Sequence, residues 1–164
     1  MLFQRMGRAM LDSLDHRLLA ALQADAQASA QQLAERVPLS PSQIARRRQR
    51  LEADGYVTGY RATLSPERLG LTVEAFIQVA MAAHTSENAR DFRALTRRTP
   101  EITGAWTLTG EADYLLRVYC RDLGELNRLV QEVLLPHPAV ARVHSQIVMD
   151  RIKADAPLPI SEGA

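Results

Sequence analysis

Leucines at positions 14, 18, 19 and 22 recur at helical spacing behind the capping candidates Asp12 and Ser13, so the described pattern begins with an amphipathic helix. Ser29-Ala-Gln-Gln32 is a capping-box pattern. The helix it opens is expected to bury Leu33, Ala34 and Val37 and to stop at Pro38. Ser40 then offers an N-cap, Pro41 suits the first helical position, and Gln43 completes a second capping box. This third helix is expected to run to about Asp54, with Gly55 as its terminator.

Only Pro38 and Leu39 separate the second helix from the Ser40 cap. Two short helices joined so tightly must cross steeply, which is the helix-turn-helix arrangement, whose second helix enters the DNA major groove. At about 100° per residue, Ile44 and Leu51 share one face of the third helix and point to the core. Ser42, Gln43, Arg46, Gln49 and Arg50 fall on the opposite face, with no acid before Glu52. A solvated helix face is also polar, but this one carries only basic, amide and hydroxyl groups. Arg and Gln are the side chains that make bidentate contacts to guanine and adenine edges. Arg47 and Arg48 flank the core and are expected to snorkel outward or reach phosphates.

After an extended stretch from Tyr56 to Thr63, the segment Leu64-Ser-Pro-Glu-Arg-Leu-Gly70 reads as a turn or short helix. A second pattern begins near Leu71. Val73, Ala75, Ile77, Val79 and Met81 alternate as a strand. Ser86 caps a helix burying Ala89, Phe92 and Leu95. Ile102, Gly104, Trp106 and Leu108 alternate in a second strand. A turn at Gly110-Glu-Ala-Asp113 leads to a third strand, Tyr114 to Cys120. Asp122 opens a helix with Leu123, Leu126, Leu129, Val130 and Val133, ended by Pro136-His-Pro138, and Val140 to Met149 is the fourth strand. The order is βαββαβ, the ferredoxin-like split unit with both helices on one sheet face. The other face would carry Phe76, Leu115, Tyr119 and Val148, and such a partly apolar face suggests a second copy as partner. The fold class is therefore α+β. Residues 1–61 read as the three-helix, helix-turn-helix domain, 62–70 as a linker, 71–153 as the second domain with its partner-seeking sheet face, and 154–164 as a mobile tail.

Composition sharpens this division. The chain has 164 residues and a net charge of +1. Residues 1–61 hold nine Arg against six acids, whereas the remainder holds eleven basic residues against thirteen acids. No apolar run exceeds five residues, as in Val79 to Ala83, so no membrane span is expected. The stretch Met1 to Asp12 lacks the apolar core of a secretory signal. One cysteine, Cys120, permits no internal disulfide and fits a reducing, cytoplasmic home. His16, His84, His137 and His144 are scattered without metal-ligand spacing, and no glycine loop for phosphate appears. Neither catalytic residues, nor a metal, nor a cofactor is expected.

The segments taken together resemble the Lrp/AsnC (leucine-responsive, or feast/famine) family of prokaryotic transcription factors. The resemblance spans about residues 11–153. It is carried by Leu14-Asp15, Leu18-Leu19, Leu39-Ser40-Pro41-Ser42, Arg50-Leu51-Glu52-Ala-Asp-Gly55 and Gly59-Tyr60-Arg-Ala62, then by Thr109-Gly110-Glu-Ala-Asp113-Tyr114 and Ile147-Val-Met-Asp-Arg-Ile-Lys153. It implies a helix-turn-helix domain on double-stranded DNA and a βαββαβ (RAM/ACT-like) domain that binds a small-molecule effector, commonly an amino acid. It further implies a homodimer assembling to a tetramer or octamer, in the cytoplasm and associated with the nucleoid. For DNA, the positions are Ser40, Ser42, Gln43, Arg46, Arg47, Gln49 and Arg50. Ser42, Gln43 and Arg46 would read bases, and Arg47 and Arg50 would hold phosphates. For the effector, they are Thr109, Gly110, Glu111, Asp113 and Tyr114 on the hairpin and Ser145 on the last strand. Gly110 would expose backbone N–H groups to a carboxylate and Asp113 would receive an ammonium group. The same Gly and Asp also suit a bare hairpin turn.

Three departures from the family pattern stand out. Pro38 replaces a usual turn glycine, Arg48 replaces an apolar residue, and Ala26-Gln27 replaces a common Gly-Arg. Sirohaem decarboxylases resemble the same two-domain architecture and remain an alternative, as does an amino-acid sensor that has lost DNA binding.

Overall fold

The structure, a computed structural model, describes residues 10–160. The N-terminal stretch read above for a secretory signal lies, up to residue 9, outside the described residues. The chain divides into a helical unit, residues 1–62 with 153–164, and a sheet unit, residues 63–152.

The helical unit contains α1 (Ser13–Ala24), α2 (Ala30–Ala34) and α3 (Pro41–Ala53). Each begins on a reciprocal capping box: Asp12 with Asp15, Ser29 with Gln32, and Ser40 with Gln43. Each box satisfies two N-terminal N–H groups that the helix itself leaves open. Leu18, Leu22, Leu33, Val37, Ile44 and Leu51 form the core. The second helix ends at Ala34, not at Pro38 as expected. Arg36 and Val37 both donate to the Leu33 carbonyl, so a turn carries the chain from the helix. Pro38 disfavours helical geometry in the residue before it, and that restriction loosens the final turn early. The third helix ends where expected, with Gly55 at φ 75°. Residues 154–160 return to this unit: Leu158 N–H donates to Gln23 Oε1 (2.8 Å), and Gln23 Nε2 donates to the Leu158 carbonyl (3.2 Å).

In the sheet unit, β1 (Val73–Met81), β2 (Ile102–Thr107), β3 (Tyr114–Cys120) and β4 (Val140–Ile147) form one antiparallel sheet ordered β2-β3-β1-β4. This is the βαββαβ order expected from the alternation. Helices α4 (Ser86–Arg98) and α5 (Leu123–Arg128) complete it, the latter continuing as a π-helical turn, Leu129–Leu134. The buried strand residues Ala75, Ile77, Val79, Leu116, Val118 and Cys120 form a core with Phe92, Leu95, Leu126, Leu129 and Leu134. Phe92 packs against Tyr114 with ring centroids 4.6 Å apart and the rings tilted by 44°.

Four local readings change. Thr85, not Ser86, caps α4, accepting from Asn88 N. Leu123, the first residue of α5, is exposed, and the π-helical turn buries Leu134 with Leu129. The register of β2 slips between Ile102 and Gly104. A bulge of this kind breaks the two-residue period. Ile102 therefore faces the core opposite Val118, while Gly104 and Trp106 lie opposite Arg117 and Leu115 on the open face. Trp106 covers Gly104 so closely that a β-carbon there would stand 2.5 Å from the indole ring. Finally, residues 56–63 join no strand ladder. The open face does carry Phe76, Leu115 and Tyr119, opposite Gln146, Gln78 and Glu74 in the ladders. It is also charged: Glu74 accepts from Arg117 Nε (2.7 Å), Arg151 Nη2 (2.6 Å) and Tyr119 Oη (2.9 Å).

Candidate functional site

The cap of α3 sets its polar face. Ser40 Oγ accepts from Gln43 N (3.3 Å), and Gln43 Oε1 accepts from Ser40 N (2.9 Å) and Ser40 Oγ (3.0 Å). A bidentate contact to adenine needs both the oxygen and the nitrogen of the amide. For Gln43, that contact requires opening the capping box. Ser42 Oγ lies 3.1 Å from Ser40 Oγ.

The four arginines of this helix differ in their surroundings. Arg46 is exposed and, among the described residues, makes no hydrogen bond or ion pair; Gln49 is likewise exposed and without such a partner. Arg47 Nη1 donates to Asp12 Oδ1 (2.8 Å), Asp12 Oδ2 (2.7 Å) and Asp15 Oδ1 (2.7 Å). Arg50 Nη2 lies 2.5 Å from Asp15 Oδ2. The arginine hydrogen bond holds the Asp12 carboxyl below its ordinary pKa, and the same carboxylates raise that of Arg47. Arg48 donates from Nε to Glu52 (3.1 Å) and to the Tyr60 hydroxyl (3.0 Å), with its guanidinium 4.8 Å above the Tyr60 ring. A charged residue thus serves where the family pattern has an apolar one, with Glu52 and Tyr60 as partners for its guanidinium. The sequence pattern placed Arg50 on the reading face and Arg47 at the edge of the core. Nothing in the spacing showed that a residue of α1 holds both.

The hairpin after β2 is the second candidate site. Leu108 N donates to the Asp113 carbonyl, Asp113 N donates to the Val79 carbonyl, and Met81 N donates to Asp113 Oδ2 (2.7 Å). Asp113 Oδ1 lies 3.4 Å from His84 Nδ1. The turn itself uses Gly110 at φ 119°, a conformation that favours glycine. Two cavities flank the hairpin. One, of about 310 Å³, is lined by Asp113, Tyr114, Thr107, His84 and the start of α4. The other, of about 320 Å³, is lined by Glu111, Gln78, Arg142 and His144. The expected effector residues are therefore divided: Asp113 and Tyr114 face one cavity and Glu111 the other. Thr109, Gly110 and Ser145 line neither. Sequence reading missed His84 and Arg142, which only the folded sheet brings beside the hairpin. Among the described residues, no group of His, Cys, Asp and Glu is arranged to hold a metal ion.

Two family models match the chain: the AsnC-type helix-turn-helix domain over residues 11–52 and the Lrp/AsnC ligand binding domain over residues 74–158. The chain belongs to the Lrp/AsnC family. Its members among curated proteins include the DNA-binding transcriptional activator DecR of Escherichia coli K12, 38% identical over 92% of this chain and 99% of that protein. The proline dehydrogenase transcriptional activator of Rhodobacter capsulatus is 34% identical over 87% of this chain and 93% of its own length. Among solved structures, the transcriptional regulator NMB0573 of Neisseria meningitidis in complex with L-Met superposes with a TM-score of 0.88. It is 38% identical, over 92% of this chain and 97% of that one. Like its Lrp/AsnC relatives, this chain is a DNA-binding transcriptional regulator with a ligand-binding domain.

Proposed function

We propose that this Lrp/AsnC regulator reads double-stranded DNA with the exposed face of α3, centred on Arg46, and answers to an amino acid bound at the hairpin. The observation that carries the first half is the exposed Arg46, without a partner among the described residues, beside Gln49 and Ser42 on one polar helix face. An unpaired guanidinium is free to make the bidentate guanine contact. Residues 1–61 serve as the DNA-binding domain, 62–70 as a linker, and 71–153 as the effector-binding and oligomerisation domain. Gln43 joins the reading set when its capping box opens, and Ser40 holds the helix start toward the backbone. Arg50 on that face and Arg47 at its edge are tied to carboxylates.

The effector reading rests on the Asp113 carboxylate, which is fixed by Met81 N on one oxygen and presents the other to a cavity. A fixed carboxylate suits an α-ammonium group, and the related L-Met complex supports an amino acid as ligand. Glu111 and Ser145 bear on the same ligand only if a second copy brings its own residues to the hairpin. The partly apolar open sheet face supports such a homodimer, assembling to a tetramer or octamer. The protein works in the cytoplasm, on the nucleoid, by binding and not by catalysis. No helix among the described residues is long and apolar enough to cross a membrane.

The test selects a duplex from a randomised pool with the full chain. Its affinity is then measured over a salt series with each of the twenty amino acids. The reading expects steep salt dependence and one or a few amino acids that change affinity or site spacing. No selected sequence at any salt would remove the DNA reading. No response to any amino acid would remove the effector reading.

A further inference from the structure

Among the described residues of the helical unit, Asp15 is the one carboxylate that is completely buried, with side-chain exposure of 1%. A buried charge must be paired and hydrogen-bonded. Its oxygens meet that demand fully. Oδ1 accepts from Arg47 Nη1 (2.7 Å), and Oδ2 accepts from Asp12 N (3.2 Å) and pairs with Arg50 Nη2 (2.5 Å). Asp12 adds a second carboxylate on Arg47. Arg47 and Arg50 are one helical turn apart on α3, while Asp12 and Asp15 are one turn apart at the start of α1. The cluster thus bolts the cap of one helix to the middle of the other, across 32 to 35 residues of chain.

We infer that Asp15, assisted by Asp12, is a positioning residue for DNA recognition, and that it withholds Arg47 and Arg50 from the phosphates. This rests on the reading of α3 as the groove-contacting helix. Two consequences run in opposite directions. The clamp fixes the angle at which Arg46 and Gln49 meet base edges, which raises discrimination between sequences. It also neutralises two guanidinium groups that would otherwise bind any duplex. Releasing them should strengthen sequence-independent binding and weaken sequence choice together. A residue that merely stabilised the fold would lower both.

The variants Asp15→Asn and Asp12→Asn keep side-chain volume and retain an oxygen for the capping box. The full chain and each variant are titrated with two probes: the duplex selected by the wild-type chain and a scrambled duplex of equal length and composition. For Asp15→Asn, the preference for the selected over the scrambled duplex should fall by about tenfold or more, the size of one lost base-specific contact. The slope of log affinity against log salt on the scrambled duplex should steepen by about 0.9 for each arginine freed. Asp12→Asn should move both readings the same way by less. Arg47→Gln should lower the preference and leave the slope at its wild-type value. Folding is checked by helical circular dichroism. Folded Asp15→Asn with wild-type preference and slope would overturn the inference. If that variant does not fold, Asp12→Asn and Arg47→Gln decide. A slope made shallower by about 0.9 in Arg47→Gln would show that Arg47 binds a phosphate, and would overturn it as well. A wild-type chain that selects no duplex fails at the earlier step, and the DNA reading and this inference fall together.

Discussion

Each unit of this protein fastens two arginines on one carboxylate, but the surroundings differ. In the helical unit Asp15, 1% exposed, holds Arg47 and Arg50 of α3. In the sheet unit Glu74, 11% exposed, holds Arg117 of β3 and Arg151 beyond β4, with the Tyr119 hydroxyl as a third donor. The Asp15 cluster lies behind the face assigned to DNA and orders it. The Glu74 cluster lies on the open sheet face, and four polar groups there are tied to one another before any partner arrives. Arginine content alone therefore says little about which cations can meet a ligand. The carboxylates decide it, and they sit far away in sequence.

Breaking each cluster measures the difference. Asp15→Ala should leave Arg47 with Asp12 alone and Arg50 without its carboxylate, and cost up to roughly 3–5 kcal/mol, the usual penalty for breaking a buried charge pair. Glu74→Ala should cost about 1–3 kcal/mol, since Arg151 turns readily to solvent. Urea unfolding of the two variants checks the order, and equal losses would erase the distinction.

Acid should attack both clusters. The Arg47 hydrogen bond depresses the Asp12 carboxyl from its ordinary 3.8. For Glu74, burial pushes upward, but hydrogen bonds from Arg151, Tyr119 and Arg117 outweigh it and leave the carboxyl below its ordinary 4.5. A carboxyl depressed on folding contributes stability that is complete above its unfolded pKa and is lost as pH falls through the folded one. The melting temperature should therefore stay level from neutral pH to about 5 and drop below about 4. The fall should be smaller in Asp12→Asn and in Glu74→Gln than in the parent chain.

The smallest effect concerns the sheet core. Burial, with Glu125, Glu101 and Asp122 nearby, pushes the Cys120 thiol up to about 11. Iodoacetamide at pH 8 should label it only after denaturation. Rapid labelling of the folded chain would mean that the sheet unit opens locally, as no comparable probe reports for the helical unit.

Much of this architecture was legible in the chain. Ser29 and Ser40 announced two helix starts because a capping box is a local device, written within four residues. The sheet was legible because Ala75, Ile77 and Val79 alternate without interruption. Local signals failed where a neighbour overrode the period. One extra residue at Thr103 turned Trp106 to the open face, and a π-helical turn that breaks the 3.6-residue period buries Leu134. Arg46 stood out as a candidate from helical angle alone. That Arg47 and Arg50 are held by Asp15 was not legible, because a helical wheel gives a direction and not the partner waiting there. The division of the hairpin residues between two cavities was hidden for the same reason: strand pairing, not spacing, brought His84 and Arg142 to their places.

The central claim is that Arg46 reads a base while its neighbours on α3 are held back. The measurement that tests it is the affinity of Arg46→Ala for the selected and the scrambled duplex at one fixed salt concentration. The account predicts a loss of roughly 1–3 kcal/mol on the selected duplex and a much smaller loss on the scrambled one. Equal losses on both would make Arg46 a phosphate contact, and no loss on either would remove it from the interface; each result contradicts the account.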